Sequence, residues 1–394
     1  MSKNLFVFVV CGGLEHIDTL HFSLKALKKF SNNEIIVVTD SSRNEIPVNH
    51  ETIIDFKTPS VYSHHQASIF LKISLHKLLP AKNNYCYLDS DVIAVSSEVD
   101  SVFNFFTEPI TFSQDYSSID EFSPFAVNCN CLEKFQVLNR EYQKASELYE
   151  QTLMEEYQKV LEEITQATEE NRSNMFKQLA SLFRYYSGSE FYVLNDKYKL
   201  NKKTKQWLSS DGKLIEEKYS RNKFITDKTG FVWNEKGNTF LTKDGLLVTQ
   251  LMCKHLRQQV KKTFNIEIPV NSWKHWNGGV FLFNEKSHSF MDFWYEATLK
   301  IFDNTEWKTR DQGTLAATTC NFGLQNQETL DINFNFIVDY HNKELKYEGN
   351  CTFQSHEKIH KPFFLHIFHH FGDKNWVVWQ DVEKLLATAK KKET

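Results

Sequence analysis

Asp89 and Asp91 stand one residue apart inside Tyr85-Cys86-Tyr87-Leu88-Asp89-Ser90-Asp91-Val92-Ile93-Ala94-Val95, with an apolar run on either side of the two carboxylates. Alternate side chains of an extended backbone point the same way, so both acids would offer oxygens to one point at the mouth of a strand, which suits a hard divalent cation. A bare Asp-x-Asp is commonly a solvated surface turn. Here the apolar flanks leave little water for the charges, and buried charge without a partner is costly. Three more stations follow in chain order. Asn277-Gly278-Gly279-Val280 permits close backbone approach. Arg310-Asp311-Gln312-Gly313 opens a helix in which Asp311 can serve as a cap or first-turn acid. A last strand runs into a turn with His366, His369, His370, Gly372 and Lys374.

Apolar runs and helical spacing indicate the elements that must hold these residues. Leu5 to Val10 reads as a strand ended by Gly12-Gly13, followed by a helix with Leu20, Leu24, Leu27 and Phe30 on its apolar face. Glu34 to Thr39 is a second strand ending at Asp40, Ile53 to Phe56 a third, and a helix from Gln66 to Leu79, stopped by Pro80, leads into the aspartate strand. Such a doubly wound beginning binds ligands at the carboxyl ends of its strands, where Gly12, Gly13, Asp40, Asp89 and Asp91 fall. A further strand is expected near Pro109 to Phe112.

From Glu133 the character changes. Residues to Arg184 are charged and helix-prone, and Tyr198 to Leu246 reads as short strands separated by Asp211-Gly212, Thr229-Gly230, Lys236-Gly237 and Asp244-Gly245, all hairpin signals. A helix over Leu247 to Phe264 and a strand over Ile266 to Val270 are expected before the α/β pattern resumes. The division predicted is 1–132 for the first half of the core, 133–246 for a helical and β-hairpin insertion, and 247–394 for the second half.

The chain has 394 residues, 46 basic and 50 acidic side chains and a net charge of −4, so no global field draws it to nucleic acid or an anionic membrane. Lys390-Lys391-Lys392 reads as a solvated tail. Seven scattered cysteines fit reduced thiols, and Cys129-Asn130-Cys131 is tighter than the usual zinc-knuckle spacing. Leu5 to Cys11 is shorter than a secretory core and no segment is long enough to span a bilayer, which leads to the expectation of a cytoplasmic protein.

Taken in order, Asp89-x-Asp91, Asn277-Gly-Gly-Val, Asp311-Gln312 and His369-x-x-Gly372 with Lys374 resemble the metal-dependent GT-A glycosyltransferases, and most closely the retaining family of glycogenin and the bacterial lipopolysaccharide galactosyltransferases. The resemblance covers about residues 1–130 and 266–380. It implies a GT-A α/β fold with a doubly wound mixed sheet and transfer from a nucleotide-sugar donor, a UDP-sugar, to a glycan, lipid-linked glycan or protein acceptor. It also implies Mn²⁺ (or Mg²⁺) held by Asp89, Asp91 and His369, chosen over His366 and His370 on the glycine spacing. Lys374 would meet the diphosphate, Asp311 the sugar hydroxyls and Gln312 the reacting carbon. Asn277, Gly278 and Gly279 would shape the sugar and acceptor side, and Cys11, Gly12, Gly13, Asp40, Lys72, Ser90 and Gly372 would line the donor side. The closing turn departs from the family pattern: Lys374 stands two residues after Gly372 instead of three, and Asn375-Trp376 replaces Pro-Trp. Two other readings of the aspartate pair are a haloacid-dehalogenase-type phosphatase, which expects a hydroxyl residue where Ile93 stands, and a non-catalytic binding protein of the same fold.

Overall fold

The computed structural model describes residues 2–269, 272–338, 345–355 and 357–389, so Val270 and the lysine run at 390–392 lie outside the described residues. The chain forms two compact units, Met1–Cys129 with Cys253–Thr394, and Asn130–Met252; the second is a few residues wider at each end than the expected insertion.

The first unit is built on a six-stranded sheet whose spatial order is Ile53–Asp55, Glu34–Thr39, Asn4–Val10, Asn84–Leu88, Lys274–Phe283 and Thr111–Ser118. The first four strands are parallel. Lys274–Phe283 is antiparallel to both of its neighbours. The sheet is therefore mixed, with a doubly wound first half. The period-two alternation of the first strand separates two cores: Phe6, Phe8 and Val10 pack with Ile17, Leu20, Leu24 and Leu27 of helix Leu14–Phe30, while Leu5, Val7 and Val9 pack with Ile69, Phe70 and Ile73 of helix His64–Ile73. Burial on both faces is why these parallel strands read as unbroken apolar runs.

A second, three-stranded sheet, Phe336–Ile337, Phe364–His366 and Val92–Ala94, stands beside the first. Asp89-Ser90-Asp91 is thus the crossover from the end of Asn84–Leu88 to a strand of another sheet, and the antiparallel register His366↔Val92 brings His366 next to it.

Several local expectations differ from what forms. The helix expected over 66–79 is two, His64–Ile73 and Leu75–Leu78, broken at Ser74, whose Oγ donates to Phe70 O at 2.6 Å. The strand expected near 109–112 is Thr111–Ser118, the helix after Leu247 begins only at His255, and residues 266–269 form no strand.

The second unit carries helices Cys131–Leu148 and Met154–Arg172, joined by a π-helical turn at Tyr149–Leu153, and a third helix Met175–Tyr186. It has two small cores of its own, one around Ile164, Tyr192, Tyr198 and Tyr219, the other around Ala145, Ile225, Phe231 and Phe240. Hairpins form as expected at Lys236-Gly237, between Val232–Asn234 and Thr239–Leu241. Thr229-Gly230 is instead a helix end: Gly230, at φ 74°, caps Arg221–Thr229 in the left-handed conformation that glycine takes at little cost.

Candidate active site

The carboxylates of Asp89 and Asp91 and an imidazole nitrogen of His366 lie within 4.8 Å of one another. Their positions follow from the backbone: Asp89 N donates to Gly279 O at 2.9 Å, Val92 N to Asp89 O at 3.0 Å, and Ile367 N to Asp91 O at 3.1 Å. The histidine of the group is His366, not the expected His369. The glycine spacing that selected His369 belongs to a turn beyond the strand, where His369 is exposed, whereas His366 is the last residue of the paired strand and is buried.

A line of amides fixes the His366 ring. The Asp115 carboxylate can only accept, and it takes Asn277 Nδ2–H at 2.9 Å, which turns Asn277 Oδ1 toward Gly279 N (2.8 Å) and Asn335 Nδ2 (3.0 Å). Asn335 Nδ2 also donates to Ser113 Oγ at 2.8 Å, so its Oδ1 faces His366 Nδ1 at 2.9 Å. Nδ1 therefore carries the proton, and in the neutral ring Nε2 presents its lone pair. That nitrogen stands 3.4 Å from Asp91 Oδ1. Two lone-pair atoms facing each other need a cation or a proton between them, and two carboxylates with one imidazole form a donor set that fits Mn²⁺. Burial alone would raise the Asp91 carboxyl, but the His366 ring and Lys72 hold it below the ordinary carboxylate range.

Lys72 joins two of the stations. It is buried on helix His64–Ile73, and its Nζ lies 3.2 Å from Asp89 Oδ1 and 3.2 Å from Asp311 Oδ2. Burial would lower its pKa, and the two carboxylates more than reverse this. Tyr87, two residues before Asp89 and so on the same side of the strand, donates its hydroxyl to Asp89 Oδ1 as well. Its phenol is pushed well up by burial and by Asp89, so it remains a donor.

Gln312 is held at both ends of its amide: Oε1 accepts from Gly278 N at 3.0 Å, and Nε2 donates to Trp276 O and lies 3.1 Å from His275 Nδ1. His275 is fully buried, stacks on Phe122 with ring centroids 4.4 Å apart, and has its pKa lowered by that burial, so it is a neutral packing residue that steadies Gln312. The two glycines of Asn277-Gly278-Gly279 are required by this crowding. A Cβ on Gly278 would lie 3.1 Å from Gln312 Oε1 and 3.3 Å from Lys72 Nζ, and one on Gly279 only 2.6 Å from His366 Cε1.

The other expected positions are held by contacts of their own. Asp40 is buried, and its carboxylate accepts from Ser42, Thr58 and Arg43 of its own loop. Burial would raise its pKa, but these bonds bring it down to about 2. These bonds tie it into its own loop. Cys11 is likewise buried, its thiol pushed up to about 11 by burial and by Asp40. Gly12, at φ 114°, is in a conformation that favours glycine, and its turn is closed by Asn44 Oδ1 and Glu45 N. Ser90 O accepts from Ser23 Oγ at 2.6 Å. Gly372, at φ 79°, forms the closing turn, and Lys374 is exposed just after it, its carbonyl accepting from Gln380. Asp115, Asn335, Tyr87 and His366 are the site residues that the sequence reading did not assign. Only Tyr87 had a local signal, its two-residue spacing from Asp89.

No protein-family model matches the chain, and no curated protein matches it in sequence. Among solved structures it is similar to the WbbM bifunctional glycosyltransferase (9% identity, 98% of this chain, TM-score 0.43), of which it spans half the length (50%). It is also similar to the galactosyltransferase LgtC in complex with donor and acceptor sugar analogues (9% identity, 98% of this chain and 96% of that one, TM-score 0.41). A third is mouse xyloside xylosyltransferase 1 (10% identity, 95% and 98% covered, TM-score 0.35).

Proposed function

We propose that the chain is a Mn²⁺-dependent glycosyltransferase that takes a sugar from a nucleotide-diphosphate sugar, a UDP-sugar, and passes it to an acceptor with retention at the anomeric carbon. The observation that supports this most is the pairing of two carboxylates with a histidine whose proton is fixed on the far nitrogen, beside a buried lysine that links one of them, Asp89, to Asp311. Asp89, Asp91 and His366 would hold the cation, which when bound supplies Lewis-acid stabilisation of a departing diphosphate.

The remaining work falls to side chains already in place. Lys72 holds Asp89 and Asp311 at a fixed separation, so that Asp311 can accept hydrogen bonds from sugar hydroxyls. Gln312 Oε1 uses one lone pair on Gly278 N and has a second to offer to a carbon that gains positive charge. Lys374, exposed on the last turn, would neutralise phosphate. The absence of a side chain at Gly278 and Gly279 keeps the floor of the cleft at backbone level.

Turnover of a panel of UDP-sugars, followed as free UDP, tests the reading. UDP release that requires Mn²⁺ and is lost in Asp91→Ala is the expected result. Equal rates with and without the metal, or in the variant, would sink it.

A further inference from the structure

Away from that cleft, the chain leaves the first unit after Cys129 and re-enters it at Cys253. At this point the two sulfurs and an imidazole nitrogen of His255 lie within 4.8 Å of one another, and Cys129 Sγ is 3.9 Å from Cys253 Sγ. That separation is far too long for a disulfide. Two sulfurs each about 2.3 Å from a tetrahedral ion stand about 3.8 Å apart, which is the spacing observed. The sequence around these residues repeats one pattern, Cys129-Asn130-Cys131 and Cys253-Lys254-His255, in which two soft donors flank a single residue.

The surroundings hold the donors in place before any metal arrives. Cys253 N donates to Asp120 O at 2.9 Å, and Arg257 clamps the buried Asp120 carboxylate through two bonds of 2.6 and 2.9 Å. Ser123 Oγ lies 3.0 Å from Cys253 Sγ and accepts from Leu256 N at 2.8 Å. On the other side, Val127 bridges to Trp307 and Asn128 N donates to Glu306 O at 2.8 Å, which anchors the residues just before Cys129. His255 opens the helix His255–Phe264, whose N-terminal dipole favours thiolate charge at this end.

We infer that Cys129, Cys253 and His255 form a zinc site of the first unit, at the two points where the chain leaves that unit and re-enters it. Thiolate and imidazole donors in tetrahedral spacing select Zn²⁺ over the hard cation suited to Asp89 and Asp91, so the two sites sort their metals by ligand chemistry. Binding displaces the thiol protons to solvent. A long loop is what such a clip constrains most.

The test uses the full chain, stripped by chelator under reducing conditions and titrated with Co²⁺. One equivalent should produce thiolate-to-cobalt charge-transfer absorption with the intense visible bands of a tetrahedral site, and one equivalent of Zn²⁺ should abolish both. The Cys129→Ser/Cys253→Ser double variant should lose the charge-transfer band, while Asp91→Ala keeps it at full intensity. A wild-type chain without that band at one equivalent of Co²⁺ would overturn the inference whatever the variants do. So would a band unaffected in a double variant, or one lost with Asp91.

Discussion

Replacing Lys72 by methionine removes a buried ammonium and keeps the length and apolar stem of the side chain. Two carboxylate oxygens, on Asp89 and Asp311, each lie 3.2 Å from Nζ. At an effective dielectric constant of about 20 each contact is worth about 5 kcal/mol before desolvation. Removing one member of a buried ion pair usually costs about 3–5 kcal/mol, because the partner charge stays behind. Here the carboxylates keep 30% and 18% side-chain exposure, so water recovers part of that loss and about 2–3 kcal/mol is expected. Urea unfolding monitored by tryptophan fluorescence measures it. The sign with pH follows from the raised folded-state pKa of Lys72: its contribution is full below the unfolded value of about 10.4 and is lost as pH rises through the folded one. Mn²⁺ affinity should rise, since the ammonium no longer competes for Asp89, while sugar transfer falls. A stability loss under about 0.5 kcal/mol, or a pH-independent one, would refute the reasoning.

Gly279→Ala places a Cβ 2.6 Å from His366 Cε1 and 2.9 Å from Asn277 Oδ1, so it should cost about 1–3 kcal/mol in thermal unfolding and weaken metal binding; unchanged Mn²⁺ affinity would contradict the packing. Asp115→Asn lets the Asn277 amide turn over and so unfixes Asn335 and the His366 proton; about a 10-fold loss of Mn²⁺ affinity at unchanged fold is expected, read by calorimetry. Asp40, at about 2 in the folded chain, contributes about 2 kcal/mol of stability that is complete above the unfolded carboxyl value and is lost as pH falls from about 4 to 2. The stability difference between wild type and Asp40→Asn should therefore close over that interval, and a constant difference would disprove it.

Legibility in the sequence followed how local each signal is. Unbroken apolar runs and a glycine pair located the first strand, the second strand and the helix between them, because a strand buried on both faces and an amphipathic helix each write their environment into a few consecutive residues. Asp89, Asp91, Asp311 and Gln312 were recognisable by type and order, and the structure brings Lys72 between the first and third of them. His366 was not, since what distinguishes it from His369 is the antiparallel register with Val92, a contact set by a strand far away in the chain. Asn335 and Asp115 were silent for the same reason: an amide and an acid in ordinary contexts acquire a role only through partners such as Asn277. Thr229-Gly230 misled because glycine in the left-handed region ends helices as readily as it turns hairpins.

The central claim is that Asp89, Asp91 and His366 together form a cation-dependent nucleotide-sugar site. Calorimetric titration of UDP into the full chain, with and without Mn²⁺, compares wild type with His366→Ala and His369→Ala. UDP binding should require Mn²⁺, be lost in His366→Ala and persist in His369→Ala. Binding that ignores the metal, or that is lost with His369 and kept without His366, would contradict it.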